Sequence, residues 1–480
     1  MSHALTTPIT YLRRKAVHAV GKSVVHRFAL VLVWLTVASS CIVFSEPAPV
    51  DVLNIGLFVL LPAIGLVAWK PALTAGFSLW IAIAAFGYLS AIQAPQSLTE
   101  AIVHNSVSFY LYGSCFVFAL FVAKRPGPHT ALILNAMLTA AVFAALLGII
   151  GYLNLIPGTF DLFTRYGRAS AAFKDPNVYG PFLITGLITA LHMWLTRPLR
   201  RGFVPLILAA ILTIGLLFSF SRGAWAAAAI ATSVYSYLYM LTAGRNLDRF
   251  KLAGLVIAGA AVLGLILAAA QKSDAISRLL EERAALTQSY DVGPEGRFGG
   301  QEKAIDLILE NPLGIGSHQF APFYHHEEAH NVYLSMLLNT GWPGGFMYLI
   351  VCAATLALGF GHALRNTATR PLFLIVYAAV AANILEGVLI DSDHWRHFYV
   401  LIGIVWGLMA GDVREIRKAR IVADYGPLYH PHSHLTAPVR RAPRILGPAP
   451  HRMPSRAPTL VARVKPLPPQ RAARIRPRDR

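Results

Sequence analysis

The sequence predicts an all-α polytopic membrane protein with about 12 transmembrane helices and a large extracytoplasmic loop of amphipathic helices. Three observations support this fold class. The 480 residues are 55% hydrophobic, only 14% are charged, and the mean hydropathy is +0.54. Apolar runs that approach or exceed the roughly 20 residues a helix needs to cross a bilayer recur along the chain. Basic residues cluster in alternate connections between these runs, as they do on the cytoplasmic side of membrane proteins.

The apolar runs define the predicted spans in chain order. They cover roughly 28–45, 50–69, 71–91, 105–123, 130–152, 177–195, 203–220, 223–241, 251–270, 331–361, 371–390 and 398–411. Because the basic clusters precede or follow spans on one side only, both termini are predicted to be cytoplasmic. The opposite side then receives the loop at about 153–176, the long loop at about 271–330 between spans 9 and 10, and the segment DSDHWRH at 391–397.

Charge divides the chain into three predicted parts: a basic cytoplasmic N-terminus (1–27), a membrane domain (28–411) and a cytoplasmic tail (412–480). The tail carries 16 Lys and Arg against 4 Asp and Glu, and it contains 12 prolines from Gly426 onward. Such a composition favours disorder. Since most of the formal charge of +19 belongs to the tail, it does not indicate a nucleic-acid surface. The three cysteines lie in apolar runs, which favours buried thiols over disulfides: Cys41, Cys115 and Cys352.

Five basic residues are exceptions on the predicted extracytoplasmic side, where such residues are usually sparse: Arg165, Arg168, Lys174, Arg222 and Arg297. Arg222, in SFSRGAW, begins the eighth span, and Arg297 lies in the long loop. A helix that begins beside an arginine offers a phosphate both free backbone N–H groups and a planar guanidinium fork. Two such guanidinium groups predict a diphosphate site. The alternative for Arg222 is that it snorkels to headgroup phosphates or pairs with a carboxylate.

The long loop contains a predicted amphipathic helix followed by a histidine-rich segment. Ala304, Ile305, Ile308 and Leu309 follow helical spacing, which is typical of a helix lying at the membrane–water boundary. A second, charged helical stretch is predicted at 273–288.

The histidine-rich segment, HHEEAHNVYLSM (325–336), allows two interpretations. His326, Glu327 and His330 match H-E-x-x-H, the spacing by which one helix face offers two imidazoles to zinc. A third ligand would come from Asp391, Asp393, His394 or His397, but the sequence selects none of them, so no metal site is predicted. Alternatively, His330 is a neutral imidazole at the mouth of the bundle and accepts a proton from a hydroxyl. Asn331 would then help to orient the acceptor.

Four strings together resemble the O-antigen ligase and polysaccharide polymerase family of bacterial membrane glycosyltransferases. They are FKDPNVYGPFL (173–183), SFSRGAW (219–225), GRFGGQEKAIDLILENPLGIGSHQF (296–320) and HNVYLSMLLNTGWPGGFMYL (330–349). Their order, their spacing and the large outer loop match the family. The resemblance covers about 170–360, and the other spans agree only in number and orientation.

The resemblance implies a metal-independent transfer without cofactors, at the periplasmic face of the bacterial inner membrane. The donor would be a glycan on polyprenyl (undecaprenyl) diphosphate, and the acceptor a sugar hydroxyl of the lipid A-core of lipopolysaccharide or of another glycan. Arg222 and Arg297 would hold the diphosphate and His330 would deprotonate the acceptor. Arg168 and Asn177 match positions near the donor less securely. The sequence departs from the family pattern after Phe298, where Gly299 and Gly300 stand in place of a frequent aromatic residue.

Ligase and polymerase activities share the donor and remain alternatives at this point, with the single histidine and two arginines favouring the ligase. A transporter or flippase would require ionisable residues within the membrane. Glu386, in the eleventh span, is the clearest acidic candidate, and it would alternatively pair with His397 or with a backbone donor. The low density of such charges argues against coupled transport.

Overall fold

The protein is built of α-helices joined by short connections. The computed structural model describes residues 24–94, 98–242, 246–257 and 293–425, with side chains as far as Asp412. The helices are α1 (24–38), α2 (Pro49–Ala63), α3 (Pro71–Ala91), α4 (Leu98–Lys124), α5 (Pro126–Tyr152), α6 (Thr159–Phe163), α7 (Pro176–Thr196), α8 (Phe203–Phe218), α9 (Arg222–Thr242), α10 (246–257), α11 (Arg297–Glu310), α12 (Phe320–Phe323), α13 (Val332–Ala363), α14 (Arg370–Glu386) and α15 (Arg396–Tyr425). Two short strands, β1 (Thr164–Arg165) and β2 (Arg168–Ala169), form an antiparallel hairpin between α6 and α7.

The predicted all-α polytopic fold agrees with these helices. Every predicted span coincides with a helix, apart from 251–270, which lies mostly outside the described residues. Within the described ranges, seven helices are long and apolar enough to cross a membrane, and α2 and α8 are shorter apolar helices. The count of 12 crossings therefore stays a prediction. The predicted helix at 273–288 and the tail from 426 onward lie outside the described residues.

The helix ends sort into two groups. At the end of α7, Lys251 Nζ donates hydrogen bonds of 2.7–3.1 Å to three carbonyl oxygens, those of Trp194, Leu195 and Arg197. At the end of α9, Arg370 Nη2 donates to Thr242 O at 3.1 Å. Basic side chains thus satisfy carbonyl groups that a helix C-terminus leaves unpaired. Since α7 and α9 begin at the opposite end, Asn177 and Arg222 lie far from these basic contacts.

Helix α13 is kinked where the loop after α11 packs against it. Gly341 has φ +65° inside the helix, and a Cβ atom there would lie 2.7 Å from Pro312 O. Trp342 N donates to that carbonyl at 2.9 Å, and Ile315 N donates to Leu338 O at 2.9 Å. Only glycine accommodates both the left-handed backbone and the close approach. The kink therefore docks the long loop onto the first half of α13.

A buried ion pair joins the starts of α2 and α15. Asp51 accepts hydrogen bonds from Arg396 Nε at 2.7 Å and Nη2 at 2.8 Å. Its carboxylate also accepts from Ala48 N at 2.8 Å and from the Tyr110 hydroxyl at 3.2 Å. The bidentate geometry and these extra donors satisfy the carboxylate, which is the condition under which a buried pair is tolerated.

Asp51→Asn is expected to destabilise the protein by about 3 kcal/mol, because it leaves the Arg396 guanidinium without its charged partner. Thermal unfolding in detergent micelles should show a clear fall in midpoint. Glu46→Gln is the matched control, since it removes the exposed ion pair between Glu46 and Lys174 (3.1 Å), which is worth at most about 1 kcal/mol. Equal midpoints for the two variants would contradict a stabilising role for the buried pair.

Candidate active site at one end of the helical bundle

The turn before α9 fixes Arg222 at the first position of that helix. Phe220 adopts φ +46°, which ends α8 and reverses the chain. Ser221 Oγ then accepts a hydrogen bond from Ala224 N at 3.3 Å, as an N-cap residue does. Arg222 is half-buried. Its guanidinium is therefore carried by a helix N-terminus, as the sequence predicts. We call this end of the bundle the site end.

Arg168 and Asn177 contact each other beside this turn. Arg168 Nε donates to Ser219 O at 2.7 Å, and its Nη2 donates to Asn177 Oδ1 at 2.7 Å. The β1–β2 hairpin carries Arg168, and Asp175 caps α7 so that Asn177 lies in its first turn. The two residues that the resemblance placed less securely thus lie together, against the turn that leads into Arg222.

The C-terminal end of α14 connects the start of α9 with the start of α13. A Cβ atom on Gly223 would lie 3.3 Å from Glu386 Oε1, so this carboxyl group packs on the first turn of α9. Gly387 O accepts from Val332 N at 2.8 Å. Glu386 Oε2 is buried without a hydrogen-bond partner among the described residues, and so is His397 Nε2. The suggested pairing of Glu386 with His397 is not observed.

His330 lies just before α13 and faces two carboxylates. Its backbone adopts φ +48°, which is uncommon for a residue with a Cβ atom. Its Nε2 is 3.4 Å from Glu327 Oε2, and its Nδ1 is 3.9 Å from Asp391 Oδ2. The side chain is 30% exposed. An imidazole that is reachable from outside and flanked by carboxylates is suited to accept a proton.

The H-E-x-x-H segment does not form the helix that zinc binding requires. Residues 325–331 are turns and irregular backbone. His326 Nδ1 faces Glu295 Oε2 at 3.3 Å, whereas His330 faces Glu327 and Asp391. The two histidines therefore contact different carboxylates instead of sharing one helix face. The zinc-protease interpretation is not supported by this geometry.

Asn331 is the N-cap of α13. Its Oδ1 accepts hydrogen bonds from Tyr333 N at 3.0 Å and from Leu334 N at 3.3 Å. These are donors that the start of a helix leaves unpaired. The side-chain oxygen thus has a structural use that the sequence analysis did not assign, and its position next to His330 is explained without an acceptor.

Arg297 is the first residue of α11, so it repeats the arrangement of Arg222. It is half-buried, and its Nε is buried without a hydrogen-bond partner among the described residues. The glycines after it allow close approaches: a Cβ atom on Gly299 would lie 2.3 Å from Pro294 O, and one on Gly300 would lie 3.0 Å from the His325 ring. Because glycine stands at these two positions, where the sequence departs from the family pattern, the 293–296 turn and the His325 ring pack closely against the start of α11.

The apolar face of α11 connects Arg297 with the His330 segment. Ala304, Leu307 and Ile308 are buried with Ala329 and Leu338. Trp342 Nε1 also donates to Ile308 O at 2.8 Å. The predicted helix is thus observed, with Ala304 and Ile308 on its buried face beside Leu307. Ile305 and Leu309 are 48% and 65% exposed, and the position of the helix at the membrane–water boundary stays a prediction.

Two acidic residues at the site, Asp391 and Glu328, were not predicted to act in the transfer. The sequence identifies Asp391 only as a possible zinc ligand. Asp391 faces His330 and accepts a short hydrogen bond from Ser335 Oγ. The pKa of Glu328 is raised to about 7, mainly by burial and in addition by the negative charges of Asp391 and Asp393. Their positions depend on how the 391–397 connection folds over the start of α13, which spacing along the chain does not encode.

Comparison with known proteins bears on the family of the chain. Residues 206–349, which include Arg222, Arg297 and His330, match the family described as O-antigen ligase. The resemblance to the O-antigen ligase family is confirmed. The chain is also 24% identical, over 292 residues, to a general O-oligosaccharyltransferase from Acinetobacter baylyi (strain ATCC 33305 / BD413 / ADP1). That match covers 57% of this chain and 49% of the relative, so the chain spans about half the length of the curated relative it matches.

Asn331→Ala is expected to destabilise α13 by about 1 kcal/mol, because two backbone N–H groups lose their acceptor. Asn331→Ser should restore most of the loss, since a hydroxyl also caps a helix. Thermal unfolding in micelles measures both effects. Equal stability of the alanine variant and the unmodified protein would show that the cap contributes little.

Proposed function

We propose that this O-antigen ligase family protein transfers a glycan from a polyprenyl diphosphate carrier to a sugar hydroxyl at the periplasmic face of the bacterial inner membrane. The observation that carries the proposal is the arrangement of the site end. Two arginines each begin a helix, the segment that carries His330 packs on α11 through Ala329, and the end of α14 links the start of α13 to the start of α9. Both termini would be cytoplasmic, so that the site end faces the periplasm.

The donor diphosphate is proposed to bind between Arg222 and Arg297. Each guanidinium supplies a fork for phosphate oxygens, and each helix start supplies backbone N–H groups and the positive end of a dipole. The unpartnered Nε of Arg297 is a donor that a phosphate oxygen would satisfy. Arg168 and Asn177 would support the turn before Arg222 and add positive charge near the donor. The polyprenyl chain would remain in the bilayer.

His330 is proposed to act as the general base. As the acceptor oxygen attacks the anomeric carbon, its proton passes to the imidazole and the bond from that carbon to the diphosphate oxygen breaks. Asp391, held by Ser335, would orient the ring and stabilise the imidazolium that forms. The arginines would stabilise the charge on the leaving diphosphate, so this step needs no divalent cation.

The acceptor distinguishes the remaining alternatives. The names of the family and of the relative describe an O-antigen ligase and an O-oligosaccharyltransferase, which favours transfer of an assembled glycan to a hydroxyl oxygen. We therefore favour the ligase reaction, with lipid A-core sugar as acceptor, over polymerisation of repeat units. Purified protein supplied with one labelled donor and offered lipid A-core, a second carrier-linked repeat unit or a serine-containing peptide in separate reactions would identify the acceptor class.

His330→Ala is expected to lower the turnover of glycan transfer by about 10²–10⁴-fold, because the acceptor loses its base. The assay uses protein reconstituted in liposomes, labelled donor and no added divalent cation. His326→Ala is the matched control, since this neighbouring histidine is about half exposed and contacts only Glu295 among the carboxylates of the described residues. Unchanged turnover in the His330 variant would rule out this base.

Arg222→Lys is expected to remain strongly impaired, because an ammonium group keeps the charge but lacks the bidentate fork. Arg201→Lys is the control, since Arg201 is exposed near the opposite end of the bundle. The apparent KM for the carrier-linked glycan should rise only in the Arg222 variant, which would show weaker donor binding. A fully active Arg222→Lys protein would indicate that the arginine has a structural role.

A further inference from the structure

Beside His330 lies a second group of ionisable side chains that the proposed transfer does not use. His104 of α4, Asp393 and His394 form this histidine cluster, and their ligand atoms all lie within 4.8 Å of one another. The three residues come from two segments nearly 300 positions apart. His318, from the loop after α11, places its ring edge-on to His104 with ring centroids 4.9 Å apart.

The spacing inside the cluster fits a bound cation better than a direct hydrogen bond. His104 Nε2 lies 3.5 Å from Asp393 Oδ2, whereas a charge-assisted N–H···O bond is about 2.7–2.9 Å long. Zn²⁺ binds imidazole nitrogen and carboxylate oxygen at about 2.0–2.2 Å, so two ligand atoms of a tetrahedral ion lie about 3.4 Å apart. The observed distance between Nε2 and Oδ2 is close to this ligand–ligand distance.

Burial favours the same conclusion. The side chains of His104 and Asp393 are only 13% and 11% exposed. The ring of His394 stacks on that of His104 with centroids 4.1 Å apart, and its Nε2 lies 2.9 Å from Ser108 Oγ. Outer partners of this kind hold metal-bound imidazoles in place.

A bound ion would also join distant parts of the chain. His104 lies in α4, whereas Asp393 and His394 lie in the connection before α15. One ion held by all three residues would tie the 391–394 segment, and with it Asp391, to α4.

We propose that His104, Asp393 and His394 bind one Zn²⁺ ion, which fixes the 391–394 segment against α4 beside the candidate active site. Two imidazoles and one carboxylate form a ligand set that zinc favours. The ion belongs to the histidine cluster and not to the arginines, so the transfer step proposed above is unchanged. The second group of possible ligands, Glu295, His325 and His326, is more exposed and serves as a comparison.

The test measures zinc directly. Full-length protein with a tag that contains no histidine is purified in detergent, stripped with dipicolinate, reloaded with Zn²⁺, passed through gel filtration and examined by elemental mass spectrometry. We expect one zinc ion per chain in the unmodified protein, and a loss of affinity of at least about tenfold in His104→Ala. His326→Ala should retain the ion. Co²⁺ in place of zinc should give the visible absorption of a tetrahedral site only when His104 is present.

Asp393→Asn keeps the side-chain shape and therefore serves if the alanine variant does not fold. Zn²⁺ should raise the unfolding midpoint of the stripped protein, because a ligand that binds the folded state stabilises it, and it should not raise that of Asp393→Asn. Substoichiometric zinc in the unmodified protein, full zinc content in both cluster variants, or loss of zinc only in His326→Ala would each overturn the proposal. None of these outcomes depends on glycan transfer.

Discussion

The contact of the α14 C-terminus with the starts of α9 and α13 is the interaction on which the site end depends. Glu386 packs on Gly223, and the next residue, Gly387, accepts the hydrogen bond of Val332. A side chain at position 223 would displace the carboxyl group, since the Cβ atom would already be 3.3 Å away. This close packing links the first turn of α9, where Arg222 lies, through the end of α14 to the start of α13, which follows His330.

Membrane burial explains why the functional groups gather at helix ends. A guanidinium or carboxylate at mid-bilayer is costly, but a helix terminus near the interface already exposes unpaired backbone groups that suit charged partners. At one end of the bundle, Lys251 and Arg370 satisfy carbonyl groups. At the other end, Arg222 and Arg297 begin helices, whose unpaired N–H groups and positive dipole ends favour anions. The same backbone asymmetry thus favours basic side chains at one end of the bundle and an anion at the other, where the phosphate site is proposed.

The sequence predicts the fold class because it depends on local composition. Long apolar runs identify the helices, and an arginine that begins a helix is visible in SFSRGAW, whereas the start of α11 at Arg297 was not predicted. Contacts between distant segments could not be predicted in the same way. His104 and Asp393 are 289 positions apart, yet Nε2 and Oδ2 lie 3.5 Å from each other. The role of Asn331 as a cap and the exposure of Ile305 likewise depend on where α13 and α11 pack. Periodicity alone does not decide between neighbouring residues for the cap or for the buried face.

The two sides of the site differ in charge, and this difference suits a transfer between unlike substrates. Arg222 and Arg297 begin α9 and α11, whereas Asp391 and Glu327 lie beside His330, just before α13. An anionic donor is attracted to the first side and repelled by the second. A neutral hydroxyl is not repelled by carboxylates, and an imidazole that gains a proton is stabilised by them. In the proposed transfer, the diphosphate would therefore leave toward positive charge while the proton moves toward negative charge.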